Sequence, residues 1–173
     1  MHSDTDNISS NITPTNSTST TGTPPTGTEA SLGSPSHLDV AKAERGLKGA
    51  ALFSVISGLF FASASTGPTD GLMRLFLDSI FWRIGDGPAV LSDSHHLVDA
   101  ITGGVMVGWG AMTWLVVDRF ISASPGDVKQ IVGVAIAAWF VVDSAGSIAS
   151  GGWLNAVFNV AYAALFLLPL RKL

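Results

Sequence analysis

The 173-residue chain is predicted to be all-α: a four-transmembrane-helix bundle with a short interfacial helix in its first outer loop and a disordered N-terminal tail. Three observations predict it. Four stretches of mostly apolar residues reach the roughly 20-residue length that a helix needs to cross hydrocarbon. Charged residues make up 13% of the chain, against about 25% in an ordinary soluble domain. Lys and Arg also fall mainly on one side of the apolar stretches, as they do around membrane spans.

The tail comes first in the chain. Residues 1–40 are almost entirely polar, so the mean hydropathy of +0.42 understates how apolar the remainder is. Met1 to Ser36 lacks both the apolar core and the basic leader of a cleaved signal peptide. Its Ser, Thr, Asn, Gly and Pro cannot bury enough surface to offset the entropy of ordering, which predicts disorder. The sequons at Asn7, Asn11 and Asn16 are the triplets such a composition generates by chance.

The predicted spans then follow in order. The first is Leu47 to Ser65, stopped by Gly67-Pro68, and the second is Leu97 to Val117, ended by Asp118-Arg119. The third runs from Val128 to Ile148 after the turn Ser124-Pro125-Gly126-Asp127. The fourth covers Trp153 to Leu170 and is closed by Arg171-Lys172. Only Ser150-Gly151-Gly152 separates the last two, which predicts a tight antiparallel hairpin. Residues 41–173 are thus one transmembrane domain.

Orientation follows from charge. Lys42, Arg45, Lys48, Arg119, Lys129, Arg171 and Lys172 share one side of a four-span chain, leaving Arg74 and Arg83 on the other. That asymmetry predicts a multi-pass protein of the cell membrane with both termini cytoplasmic. Gly71 to Ile84 carries Leu72, Leu75, Phe76 and Ile80 at helical spacing, with Asp70 to cap it and Gly85 to end it. It is too short to span and holds three charges, so it is expected to lie in the outer interface with Trp82 at headgroup depth.

Small residues set how membrane helices approach one another. Gly104 and Gly108 form a GxxxG pair in the second span. They are expected to pack inside the bundle, with self-association as the alternative.

Polar residues at membrane depth carry more information, since each costs a few kcal/mol unless paired or hydrated. Asp143 lies within the third span, Asp99 in the first turn of the second, and Asn155 and Asn159 open the fourth. Asn155, Asn159 and Tyr162 stand at i, i+4 and i+7, on one helical face. The hairpin brings that face to the depth of Asp143 and Ser147. A polar intramembrane cluster of Asp143, Asn155, Asn159, Asp99 and Ser147 is therefore expected, either as a hydrogen-bond lock or as a solute or proton site.

His95 and His96 form a candidate outer-face pair before the second span. Asp99 is one turn beyond His96 and could orient its ring. Adjacent histidines point about 100° apart on a helix, and no third one is in the apolar body, so neither metal nor haem is expected. A Ser94/His95/Asp99 triad has no nucleophile elbow to support it. The chain has no cysteine, which excludes disulfides, thiolate metal sites and thiol catalysis. No basic cluster points to a nucleic acid, and no cofactor is expected.

The run Gly103 to Gly110 (GGVMVGWG), the run Trp139 to Ser147 (WFVVDSAGS), Asn155 and the ending Leu168-Pro169-Leu170-Arg171 resemble a group of uncharacterised small prokaryotic four-helix integral membrane proteins. The likeness covers about residues 45–173. It implies the four-span topology and brings no catalytic residue. The function expected is that of a non-enzymatic structural, accessory or interaction component, whose partners are the lipid bilayer and another membrane protein or a second copy. The alternative is a small oligomeric proton-coupled solute transporter using Asp143.

Overall fold

The computed structural model of the chain describes residues 35–65, 70–81 and 93–173. The tail and its sequons before residue 35, the Gly67-Pro68 stop, Trp82, Arg83 and Gly85 lie outside the described residues. The described chain is helical throughout: α1 (His37–Ala64), α2 (Asp70–Ile80), α3 (Asp93–Phe120), α4 (Pro125–Ala149) and α5 (Trp153–Leu170). Four of these, all but α2, are long and apolar enough to cross a membrane.

Local chemistry sets the helix ends. Ser36 is the N-cap of α1: its Oγ accepts from the Asp39 N–H at 3.2 Å and donates to the Asp39 carboxylate at 2.6 Å. Asp39 also places negative charge in the first turn, where the helix dipole favours it. The cap starts α1 inside the stretch assigned to the tail, well before the apolar run begins at Leu47. Pro125 opens α4 at a position where its missing N–H costs nothing. The expected turn is correspondingly shorter, because Gly126 and Asp127 already belong to the helix.

The α4–α5 link is a Schellman motif. Gly152 N–H bonds the Ser147 carbonyl at 2.8 Å and Gly151 N–H bonds that of Ile148 at 3.0 Å. Gly151 has φ of 85°, the left-handed value that glycine adopts without penalty.

α1 and α3 form the most intimate pair, antiparallel and nearly backbone to backbone. A Cβ built on Gly58 would lie 2.7 Å from the Gly103 carbonyl oxygen, and one on Gly110 would lie 2.6 Å from that of Ala51. His96 Nδ1 at the start of α3 meets the Ala64 carbonyl at 3.2 Å. At the far end Lys48 bonds Asp118 and Glu44, each at 2.7 Å, and sits 5.5 Å from the Trp114 ring centroid. α5 packs on α1 from the other side, with Gly46 closing on the Pro169 ring.

The expectation for Gly104 and Gly108 is corrected here. A Cβ on either would meet nothing within 4 Å, and both face outward. The glycines that pack are Gly103 and Gly110, seven residues apart and so on one face of α3. One residue of phase is about 100° around a helix, which turns the GxxxG pair away from α1.

The buried core lies toward the end where Lys48 and Asp118 meet. Leu47, Val117, Ile121, Val128, Ile136, Phe166 and Leu170 are all nearly or fully enclosed there. Outside it the helices present large apolar side chains, among them Ile56, Val105, Val134, Val142 and Val160, each more than half exposed. Water would penalise such a surface; hydrocarbon would not. α2 packs across the other end through Met73 and Ile80, and Phe76 touches Phe61 of α1 and Phe158 of α5 with ring centroids 5.7 and 6.2 Å apart.

Candidate functional site

The polar residues of α4 and α5 come together beside the hairpin. Because the link is a closed turn, residues whose numbers are equidistant from it stand opposite one another. Asn155 thus faces Ser147, and Asn159 faces Asp143. Asn159 Nδ2 donates to Asp143 Oδ2 at 2.6 Å and to Ser144 Oγ at 3.1 Å. Asn155 Nδ2 donates to the same Asp143 oxygen at 3.1 Å and to Ser147 Oγ at 2.8 Å.

Burial grades across this set. Asn159 is 5% exposed and Ser144 9%, while Asp143, Ser147 and Asn155 are half-buried. Both amide contacts to the carboxylate fall on Oδ2, the oxygen turned toward α5. Each asparagine amide has two donor hydrogens, and each has two acceptors on α4. The set can therefore satisfy both donors of both amides without water.

The same α5 face continues to Tyr162, which bonds α1 instead. Ser54 Oγ donates to the Ala50 carbonyl at 3.0 Å, using its single hydrogen. The 2.5 Å contact between Ser54 Oγ and the Tyr162 hydroxyl therefore has tyrosine as donor. Ser54 is fully buried. Trp139 and Phe166 enclose the tyrosine ring, with centroids 4.8 and 5.4 Å away. One face of α5 thus fastens two different helices by side-chain hydrogen bonds.

Of the predicted cluster, the structure brings together Asp143, Asn155, Asn159 and Ser147. Asp99 stands on α3 with Oδ2 buried and takes part in none of these four hydrogen bonds. The contact that His96 Nδ1 makes is with the Ala64 carbonyl. His96 satisfies an orphan carbonyl at the end of α1, and His95 is exposed beside it. Among the described residues, no three His, Asp or Glu side chains converge on a common metal position.

Ser144 and the Ser54–Tyr162 pair were not among the expected site residues. Tyr162 carried a signal, its place on the asparagine face. Ser54 carried only the weak one of a hydroxyl within an apolar span, where back-bonding to the i−4 carbonyl is an equally good fate. No protein-family model, curated protein or solved structure matches the chain.

Proposed function

We propose that this chain is a non-enzymatic, multi-pass component of the cell membrane, with both termini cytoplasmic, acting as a structural, accessory or interaction subunit. The observation that carries this is the hydrogen-bond set between α4 and α5. Side chains able to do chemistry at membrane depth instead satisfy one another, as interhelical bonds that hold a bundle do. Its partners are the lipid bilayer and either a second copy or another membrane protein. The exposed apolar belt, which covers α1, α3, α4 and α5, supports both.

The rival is a small oligomeric proton-coupled solute transporter with Asp143 as its titrating group. One observation favours it: Asp143 is only half-buried, and both of its amide bonds use one oxygen. Proteoliposomes carrying a pH-sensitive dye separate the two. Wild-type chain and Asp143→Asn should give the same proton leak under an imposed pH gradient. Proton uptake that Asp143→Asn abolishes would replace the structural reading with the transporter.

A further inference from the structure

The end of the bundle opposite the polar site has a feature that the proposed function does not use. A shallow groove of about 500 Å³ on the surface of α3 is lined by Met112, Leu115, Val116, Arg119 and Phe120. Positions 112, 115, 116 and 119 share one helical face. Met112, Leu115 and Phe120 are each about half exposed. The groove is therefore an apolar trough with a single cation at its mouth.

Among the described residues, no carboxylate closes on that cation as a direct ion pair. Asp118, its neighbour in sequence, is held by Lys48 at 2.7 Å, and Arg119 takes part in no ion pair among the described residues. The same face continues away from Arg119 to Gly108 and Gly104, where a side chain would meet nothing within 4 Å. From Arg119 to Gly108 the helix rises about 16 Å, close to half of the roughly 30 Å hydrocarbon thickness. A basic head above one leaflet's depth of apolar trough matches a phospholipid.

We infer that this face of α3 is a binding site for an anionic phospholipid, its phosphate on the Arg119 guanidinium and one acyl chain lying along Met112 and Leu115 toward Gly108. A second copy fits less well. Two chains of the same topology meeting on this stripe by two-fold symmetry would bring their own Arg119 side chains face to face, whereas an anion neutralises the charge. The inference rests on the membrane reading above.

The test uses the full chain in mild detergent, with lipid retention read by native mass spectrometry after adding phosphatidylglycerol or phosphatidylcholine. Wild type should retain phosphatidylglycerol about fivefold better, the factor expected from one basic contact. Arg119→Gln should abolish that preference, whereas Lys129→Gln, at the same end, should keep it. Gly108→Leu, which projects into open space, should reduce retention of both lipids without lowering the melting temperature. Equal retention of both lipids by wild type would overturn the site. So would a preference that survives Arg119→Gln or is lost equally in Lys129→Gln, or a doubled mass free of lipid. Recovery of the chain in the soluble fraction would overturn the membrane reading and the site with it, whereas a loss of selectivity alone overturns only the site.

Discussion

Asn159 donates to the Asp143 carboxylate at 2.6 Å across the α4–α5 hairpin, from a side chain that is itself only 5% exposed. A buried amide held this way is sensitive to what replaces its acceptor. Asp143→Asn keeps an acceptor oxygen at the same place, while Asp143→Leu leaves one N–H of Asn155 and one of Asn159 without an acceptor, their serine bonds remaining. Stranding buried donors costs about 1–3 kcal/mol. Asp143→Leu should therefore lower the melting temperature in detergent clearly more than Asp143→Asn. Equal melting of the two variants would show that the carboxylate contributes no structural bond.

The hairpin explains why this cluster was readable. A three-residue link leaves almost no freedom of register, so the numbers alone place Asn159 opposite Asp143 and Asn155 opposite Ser147. Asp99 had no such constraint, since residues 81–92 separate α2 from its helix, and depth alone does not decide which neighbour it faces. The four apolar helices were legible for a similar reason: window length and hydropathy survive errors of several residues. The phase of α3 was not. Gly103, Gly104, Gly108 and Gly110 are all small, and only the shape of α1 selects which two are buried against it.

Charge placement gives a topology prediction. Lys48 is bonded to Asp118, and Leu47, Val117, Val128 and Leu170 share one buried cluster. Lys42, Arg45, Lys48, Arg119, Lys129, Arg171 and Lys172 thus stand at one end of the bundle. Reporter fusions after Asp127 and after Lys172 should both read cytoplasmic, and one at Gly87 should read external. An external signal from the C-terminal fusion would refute the orientation.

Positive φ in the α4–α5 turn belongs to Gly151. A β-branched side chain is poorly accommodated at φ of 85°. Gly151→Val should cost about 1–3 kcal/mol, the range for a residue held in a disfavoured region. Gly152→Ala tests something else, because its Cβ would stand 3.0 Å from Ile80 Cγ2 and so press on α2. Hydrogen exchange should report this as faster exchange in α2 for Gly152→Ala, and in the hairpin for Gly151→Val. Matching exchange patterns in the two variants would mean that the turn and α2 move as one unit.

Two neighbouring glycines of α3 give the sharpest contrast in the molecule. A Cβ on Gly103 would lie 2.5 Å from both the Ala62 nitrogen and the Gly58 carbonyl oxygen, while a Cβ on Gly104 would meet nothing within 4 Å. The atoms facing Gly103 are backbone and the Ala62 Cβ, so no rotamer change can make room and α1 must move away. The move would also loosen the contacts of Gly110 with Ala51 and weaken the His96 bond to Ala64. Overpacking of a close interface costs about 1–3 kcal/mol, and in hydrocarbon the lost van der Waals contact is not offset by a hydrophobic gain between helices. At Gly104 the opposite sign is expected, since alanine is better than glycine in a helix by up to about 1 kcal/mol. Gly103→Ala should therefore lower the melting temperature in detergent, and Gly104→Ala should leave it unchanged or raise it. A destabilising Gly104→Ala paired with a neutral Gly103→Ala would mean that α3 is rotated by one residue from the arrangement described, with the GxxxG pair facing α1 after all.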